Sequence, residues 1–364
     1  MKTLAAPANT QGAKLMNLCK SVTLAASFVA ISSAAVVAEE ITVSAWGGFF
    51  EETLRDVIYP GFTEETGITV RSIAQPADQA WLTQLTNAAR AKKAPADLSL
   101  VADEVFLRGQ SIGLWANLNA DSIPNTATLL EGFTKTSEEG NLNGVGALSW
   151  YTTFVTNSDA VAETPATWAD LWTRDWDGKL GLTSNANSGL MEATALTFFG
   201  GYDIMETREG LEQIIAKIAE LKPQVQLWYR DEGQFQQSLE AGELVGGLYY
   251  HDVTMLSAMD GLPVVSTFPK EGGILGDAYW IVPRDSQNIE AAEKFINYMI
   301  RPDVQAEMAR NLGVAPVAKR DSMDLTDEEF ASVGSAGTPI RTQTHIHLRE
   351  GDWLSDKYLE MISQ

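Results

Sequence analysis

Aromatic rings and carboxylates recur together along this chain, and that pairing suits an ammonium group. Trp46-Gly47-Gly48-Phe49-Phe50-Glu51, Ala102-Asp103-Glu104 and Ser149-Trp150-Tyr151-Thr152 each carry it or part of it. So do Leu227-Trp228-Tyr229-Arg230-Asp231-Glu232, Tyr249-Tyr250-His251-Asp252 and Gly276-Asp277-Ala278-Tyr279-Trp280. A ring face attracts a cation, and a carboxylate adds a charge-assisted hydrogen bond. The segment Ser184-Asn185-Ala186-Asn187-Ser188-Gly189 is of another kind, built for turns and exposed backbone amides. Such amides, with Arg230, suit a carboxylate or phosphonate. Rings also fill cores, and Trp115, Trp168, Trp172 and Trp176 read as packing residues.

Bond-making chemistry finds few candidates. There are three histidines, His251, His345 and His347. His345-Ile-His347 alternates as in a strand, without a third ligand at the His-Glu-x-x-His spacing, and reads as a solvated pair. Neither a Gly-x-Ser-x-Gly elbow nor a phosphate-cradling loop or dinucleotide fingerprint is present. Asp103-Glu104 and Asp231-Glu232 read as turn acids. A secreted hydrolase stays as the alternative from a different class. The expectation is a protein without enzymatic activity, cofactor or resident metal.

The 364 residues carry 26 Lys+Arg against 48 Asp+Glu, a formal charge of −22. A nucleic-acid binder needs a basic footprint, so that class is disfavoured. Residues 1–38 hold Lys2, Lys14 and Lys20 and no acid, then an apolar run from Val22 to Val37, then Val36-Val37-Ala38 before Glu39-Glu40. That order describes a cleaved secretory signal. The single cysteine, Cys19, lies inside it, so the exported part has neither disulfide nor thiol nucleophile.

Alternating elements must position these groups. Glu40–Ala45, Ile68–Ile73 and Ala96–Val101 read as strands, and Phe49–Thr66 (interrupted near Pro60-Gly61) and Ala80–Ala91 as helices. Further on, Leu180–Thr183, Ala241–Tyr250 and Ala278–Val282 read as strands or lead into them. Thr167 caps a short helix, and Glu209–Leu221 and Ile289–Ile300 show helical periodicity. This alternation predicts an α/β fold with a largely parallel sheet. Ligands in such folds bind beyond the carboxyl ends of strands, where the aromatic and acidic clusters fall.

In order along the chain come Ala45-Trp46, Phe62-Thr63-Glu64-Glu65-Thr66-Gly67-Ile68-Thr69-Val70 and Ala96-Asp97-Leu98. Then come Thr167-Trp168-Ala169-Asp170-Leu171-Trp172, Phe268-Pro269-Lys270-Glu271-Gly272-Gly273-Ile274, Phe295-Ile296-Asn297-Tyr298 and Arg301-Pro302-Asp303-Val304. In this series the chain resembles the periplasmic substrate-binding proteins of ABC importers, of the spermidine/putrescine-binding type. The resemblance implies a two-lobed periplasmic-binding-protein fold of type II, with a mixed, mostly parallel sheet in each lobe. The implied boundaries are 1–38 signal, 39–148 first lobe, 149–252 second lobe, and 253–364 returning to the first lobe with C-terminal helices. Crossings are expected near 149–153 and 250–254. The implied ligand is a small amine such as putrescine or spermidine, held between the lobes of a periplasmic monomer and passed to a membrane permease.

By position, the resemblance points to Trp46, Glu104, Asn185, Ser188, Trp228, Tyr250, Asp252 and Asp277 as ligand contacts, and the residue types add Phe49 and Arg230. Polyamine binders carry two carboxylates where this chain has Asn185 and Ser188. That departure keeps a zwitterionic amine open: 4-aminobutyrate, another amino acid or an aminophosphonate. Tyr249-Tyr250 keeps ferric-ion capture open, since related ferric binders use adjacent tyrosines. Neighbours on a regular strand point to opposite faces, which counts against it.

Overall fold

Period-two alternation in Glu40-Ile-Thr-Val-Ser-Ala-Trp46 produces a strand with Ile41, Val43 and Ala45 fully buried. The computed structural model describes residues 39–76, 78–230, 232–335 and 337–364, so the signal-peptide reading lies outside the described residues. Among the described residues there are eleven strands: β1 (Glu40–Trp46), β2 (Thr69–Gln75), β3 (Leu98–Ala102), β4 (Thr134–Thr136), β5 (Leu142–Asn157) and β6 (Leu180–Thr183). The rest are β7 (Val225–Tyr229), β8 (Gly246–Tyr250), β9 (Val264–Thr267), β10 (Ile274–Ile281) and β11 (Ile340–Arg341). Helices flank them. No helix among the described residues is long and apolar enough to cross a membrane.

The sheet order is β2-β1-β3-β10-β5-β8-β6-β7, with β11 on β10 and β4 and β9 on β5. β2, β1 and β3 are parallel to one another, and so are β8, β6 and β7. The two parallel sets are joined by antiparallel pairing of β3 with β10, β10 with β5, and β5 with β8. β5 therefore runs with β3 and against β8. The carboxyl ends of both sets consequently face the middle of β5. Ala102, which ends β3, lies level with Ala278 and hence with Leu148, whereas Tyr250, which ends β8, lies level with Thr152. At the rise of a strand, four residues separate those ends by about 13 Å along β5.

Apolar side chains gather in separate clusters. The first holds Ile41 through Tyr151 of the early chain and Leu275 through Val317. The second holds Phe154, Trp168, Leu182, Leu190 and Leu248, together with Ile274, Ile340, Ile346, Leu354 and Tyr358. A third packs Val155, Tyr229, Phe235, Tyr249 and Val264. β5 passes from the first cluster to the other two between Tyr151 and Phe154. The apolar clusters do not change at 250–254. Val253 and Ala258 of the helix His251–Met259 pack on the third cluster, and β9 stays paired to the end of β5. The chain changes clusters between Ile274 and Leu275 instead. Nor does 253–364 pack as one piece on the first cluster, because the helix Thr344–Ser363 puts Ile346, Leu354, Tyr358 and Met361 into the second.

Local signals explain the helices. Thr207 caps Arg208–Ala219 by accepting from Gly210 N at 3.1 Å. The interruption near Pro60 is a π-turn over Leu54–Ile58, ahead of a proline that has no N–H to donate. Trp115, Trp168 and Trp176 are buried as packing residues, and Trp172 is half-buried. The pair His345-Ile-His347 is helical rather than strand-like, and only His345 is exposed. His347 is buried against Glu192 at 2.8 Å.

Trp168 stacks on Phe154 with ring centres 6.2 Å apart, and its Nε1–H donates to Gly272 O at 2.9 Å. Trp168→Ala is expected to destabilise the protein by about 3–5 kcal/mol, from the lost burial and the cavity left behind. Trp168→Phe should cost less, because it keeps most of the stacking. Urea unfolding of the three proteins measures both, and equal midpoints for Trp168→Ala and wild type would refute the role.

Candidate functional site

A cavity of about 920 Å³ opens at the middle of β5, where the two sets of strand ends meet. Every strand that runs into it contributes its last residues: Ala102 with Asp103 and Glu104 from β3, Thr183 from β6, Tyr229 with Arg230 from β7, and Tyr250 from β8. β5 adds Trp150 and Thr152, and β10 adds Ile274 through Asp277 at its start. Lys135 of β4 and Arg341, Thr342 and Thr344 complete the wall. Strand ends in α/β sheets carry backbone and side chains that no later strand residue covers, which is why the site forms there.

Trp150 can lie across β10 because its partner is Gly276. A Cβ at Gly276 would stand 2.2 Å from Trp150 Cε2. Trp46 packs edge-on behind Trp150, with ring centres 5.8 Å apart. The side chain of Trp150 is thus clamped between a glycine and an indole, which fixes one aromatic wall.

Charge in the wall is paired by sign. Arg341 Nη1 lies 2.9 Å from Asp277 Oδ2, and Lys135 Nζ lies 3.0 Å from Asp103 Oδ1. Thr344 Oγ1–H donates to Asp103 Oδ2 at 2.8 Å. Glu104 pairs with Arg108 at 2.9 Å and accepts from Asn187 Nδ2 at 2.8 Å, a bond that joins the β3 side to the β6 side. Four buried oxygens of the wall lack a hydrogen-bond partner: Asp277 Oδ1, Ser188 Oγ, Asn187 Oδ1 and Asp103 Oδ1, the last of which has the Lys135 ammonium as its ionic partner. Burial pushes the Asp277 carboxyl up to about 6, against the opposing pull of Arg341. Burial also pushes the nearby Tyr279 phenol well up.

Of the ten residues singled out from the sequence, Glu104, Asn185, Ser188, Arg230, Tyr250 and Asp277 line this cavity. Trp46, Phe49, Trp228 and Asp252 stand off its wall. Trp46 backs Trp150, and Phe49 is exposed at the start of a helix. Trp228 sits edge-on to Tyr358 at 6.2 Å, because strand alternation gives the cavity to its neighbour Tyr229. Asp252 lies in the first turn of the helix His251–Met259, which leads away. The same alternation separates Tyr249, stacked on Phe235 at 4.6 Å, from Tyr250 on the wall. Among the described residues no group of three or more His, Cys, Asp or Glu is placed to hold a metal ion. The wall also holds Asp103, Lys135, Trp150, Asn187 and Arg341, which were not singled out. Asp103 and Asn187 follow strand ends, which was the available signal, whereas Trp150 lies at the middle of β5. Lys135 and Arg341 gave none, being on strands of three and two residues.

Comparison with known proteins bears on this site. A family described as bacterial extracellular solute-binding protein matches residues 59–331. The gamma-aminobutyric acid-binding protein of Pseudomonas aeruginosa is 26% identical over 292 residues, covering 79% of this chain and 80% of that protein. The spermidine/putrescine-binding periplasmic protein of Salmonella typhimurium is 25% identical over 297 residues, covering 81% and 82%. In fold, the chain is similar to an ABC transporter substrate-binding protein from Bradyrhizobium japonicum, with a TM-score of 0.75 and 20% identity over 89% of this chain and 99% of that one.

The raised pKa of Asp277 has a pH signature. Its ordinary value is 3.8, so between about 4 and about 6 the folded state holds a proton that the unfolded state has lost. Through this group, stability falls as pH rises across that window. Wild type should therefore gain on Asp277→Asn as pH drops from about 7 to about 4, measured by urea unfolding at each pH. A difference that does not change with pH would refute the buried carboxyl.

Proposed function

Because this chain belongs to the bacterial extracellular solute-binding proteins, as a solute-binding component of an ABC transporter of the spermidine/putrescine-binding type, we propose that its solute is a small zwitterionic amine of the size of 4-aminobutyrate. The observation that carries this reading is the balance of charge in the cavity. Among its described wall residues, Asp103, Glu104 and Asp277 face Lys135, Arg230 and Arg341. A di- or trication entering such a site gains little net attraction, whereas a molecule with one charge of each sign finds a partner for both.

The amine is assigned to Asp277 Oδ1, beside Trp150 and Tyr250. A carboxylate oxygen without a partner in a buried site is a strong acceptor for an ammonium, and the rings add cation–π attraction. The acid is assigned to Ser188 Oγ and Arg230, where the chain enters the helix Leu190–Phe199. The first N–H groups of a helix have no partner within it and favour an anion. The relative from Pseudomonas aeruginosa, named for gamma-aminobutyric acid, points the same way. Polyamine capture, the first expectation from the resemblance, is placed second because Lys135 and Arg341 already occupy two of the acids.

The fold supports a division into two lobes whose boundaries follow the clusters. One lobe takes residues 39–151 with 275–335, and the other takes 154–274 with 340–364. The solute touches both, and its binding favours the closed form that a membrane permease receives; nothing in the cycle makes or breaks a bond. Export through removal of residues 1–38 puts the protein in the periplasm as a monomer.

Two experiments test this. Intact mass of the protein recovered from the periplasm should fit a chain starting near Glu39, and retention of residues 1–38 would refute the removal. Calorimetric titration should show binding of 4-aminobutyrate ahead of putrescine and spermidine. Arg230→Gln should weaken 4-aminobutyrate by about 10- to 100-fold, the range for a lost charge-assisted bond, and leave a plain monoamine unaffected. Tight spermidine binding with no response to 4-aminobutyrate would select the polyamine reading.

A further inference from the structure

The cavity contains a seat for an ammonium that the protein fills itself. Lys135 Nζ lies 3.0 Å from Asp103 Oδ1 and 4.6 Å from the centre of the Tyr279 ring. A carboxylate on one side and an aromatic face on the other are the two features that recognise an alkylammonium. The seat is built rather than incidental. Asp103 is held from behind by Thr344 Oγ1 at 2.8 Å, and Tyr279 is fully buried with its hydroxyl 3.3 Å from Asp277 Oδ2. Lys135 reaches it from β4, whose pairing with β5 places Lys135 opposite Gly144.

Resting on the zwitterion reading of the same cavity, we infer that Lys135 is a specificity-determining residue that keeps diamines out. Its ammonium stands where the second amine of a diamine would sit. A diamine on Asp277 whose other end turns to Asp103 meets Lys135 there, and one whose other end turns to Ser188 meets Arg230. A monoamine with an acid at its far end meets no such repulsion. Discrimination by a misplaced like charge needs no contact with the favoured solute. With the Lys135 charge removed, Asp103 and Tyr279 form an open second seat, and the cavity accepts a cation at each end.

The test titrates the full exported chain with 4-aminobutyrate and with putrescine, for wild type, Lys135→Met, Lys135→Gln and Lys135→Arg at one ionic strength. Wild type is expected to bind 4-aminobutyrate and to reject putrescine. Lys135→Met and Lys135→Gln should gain at least about tenfold in putrescine affinity. Lys135→Arg, which keeps the charge, should still reject it. Circular dichroism and melting temperature establish that each variant is folded, and Lys135→Gln carries the test if Lys135→Met is not. If wild type prefers 4-aminobutyrate and neither neutral variant gains putrescine, or if Lys135→Arg gains it equally, the role of Lys135 is overturned while the zwitterion reading stands. If wild type prefers putrescine, the zwitterion reading fails and the exclusion by Lys135 fails with it.

Discussion

The antiparallel seam of β5 and β10 is the constraint on which the site depends. Two parallel sets, each with its own carboxyl edge, could face anywhere. The antiparallel seam places β5 along β3 and against β8, so both edges turn towards its midpoint. β5 is 16 residues long, which lets it serve the first cluster with Val145 to Tyr151 and the others with Phe154 and Val155. A strand of ordinary length would serve only one. The four-residue offset between Leu148 and Thr152 then sets a gap sized for one small molecule.

Electrostatics at this gap follows from burial. Loop acids at strand ends are normally solvated, but Asp277 is the fourth residue of β10, a strand paired on both sides, and its carboxyl is pushed upwards. Arg341 comes from β11, paired on the same β10, and its guanidinium limits the cost. An ion pair in such a place contributes little to stability relative to apolar groups of equal size. Its retention is better explained by the one carboxylate oxygen it leaves without a partner, Asp277 Oδ1. The opposite wall is of a different character. Asn185, Asn187 and Ser188 present amides and a hydroxyl before a helix start, so the cavity is acidic on one side and anion-accepting on the other.

Much of this was legible because α/β chains write their sites at strand ends. The resemblance pointed by position to Glu104, Asn185, Ser188, Tyr250 and Asp277, and residue type to Arg230, and all of these line the cavity. Where the reading failed, the cause was parity or range. Trp228 and Tyr229 are adjacent on β7, and only the register with β6 decides which ring faces the gap. Asp252 and Tyr250 differ by two residues, yet a helix starts between them. Lys135 and Arg341 reach the site through strands too short to leave a periodic signature. The apolar clusters change at 274/275 because β9 pairs with β5 after the helix His251–Met259, a long-range choice that local pattern does not encode.

The bond from Asn187 to Glu104 shows how finely the two walls are balanced before any solute arrives. It is a charge-assisted bond at 2.8 Å, but its acceptor is shared with Arg108 and partly open to water. Such a bond is worth at most about 3 kcal/mol and less when solvated. A solute biases the equilibrium by its differential affinity for the closed form alone. A molecule bound to one wall only, such as an amine on Asp277 with nothing for Arg230, would fill the cavity without shifting that balance. A solute with both charges bonds to both walls and adds to the Asn187–Glu104 contact. On the proposed reading, charge complementarity across the gap governs two things at once: which solute enters, and whether its entry closes the protein.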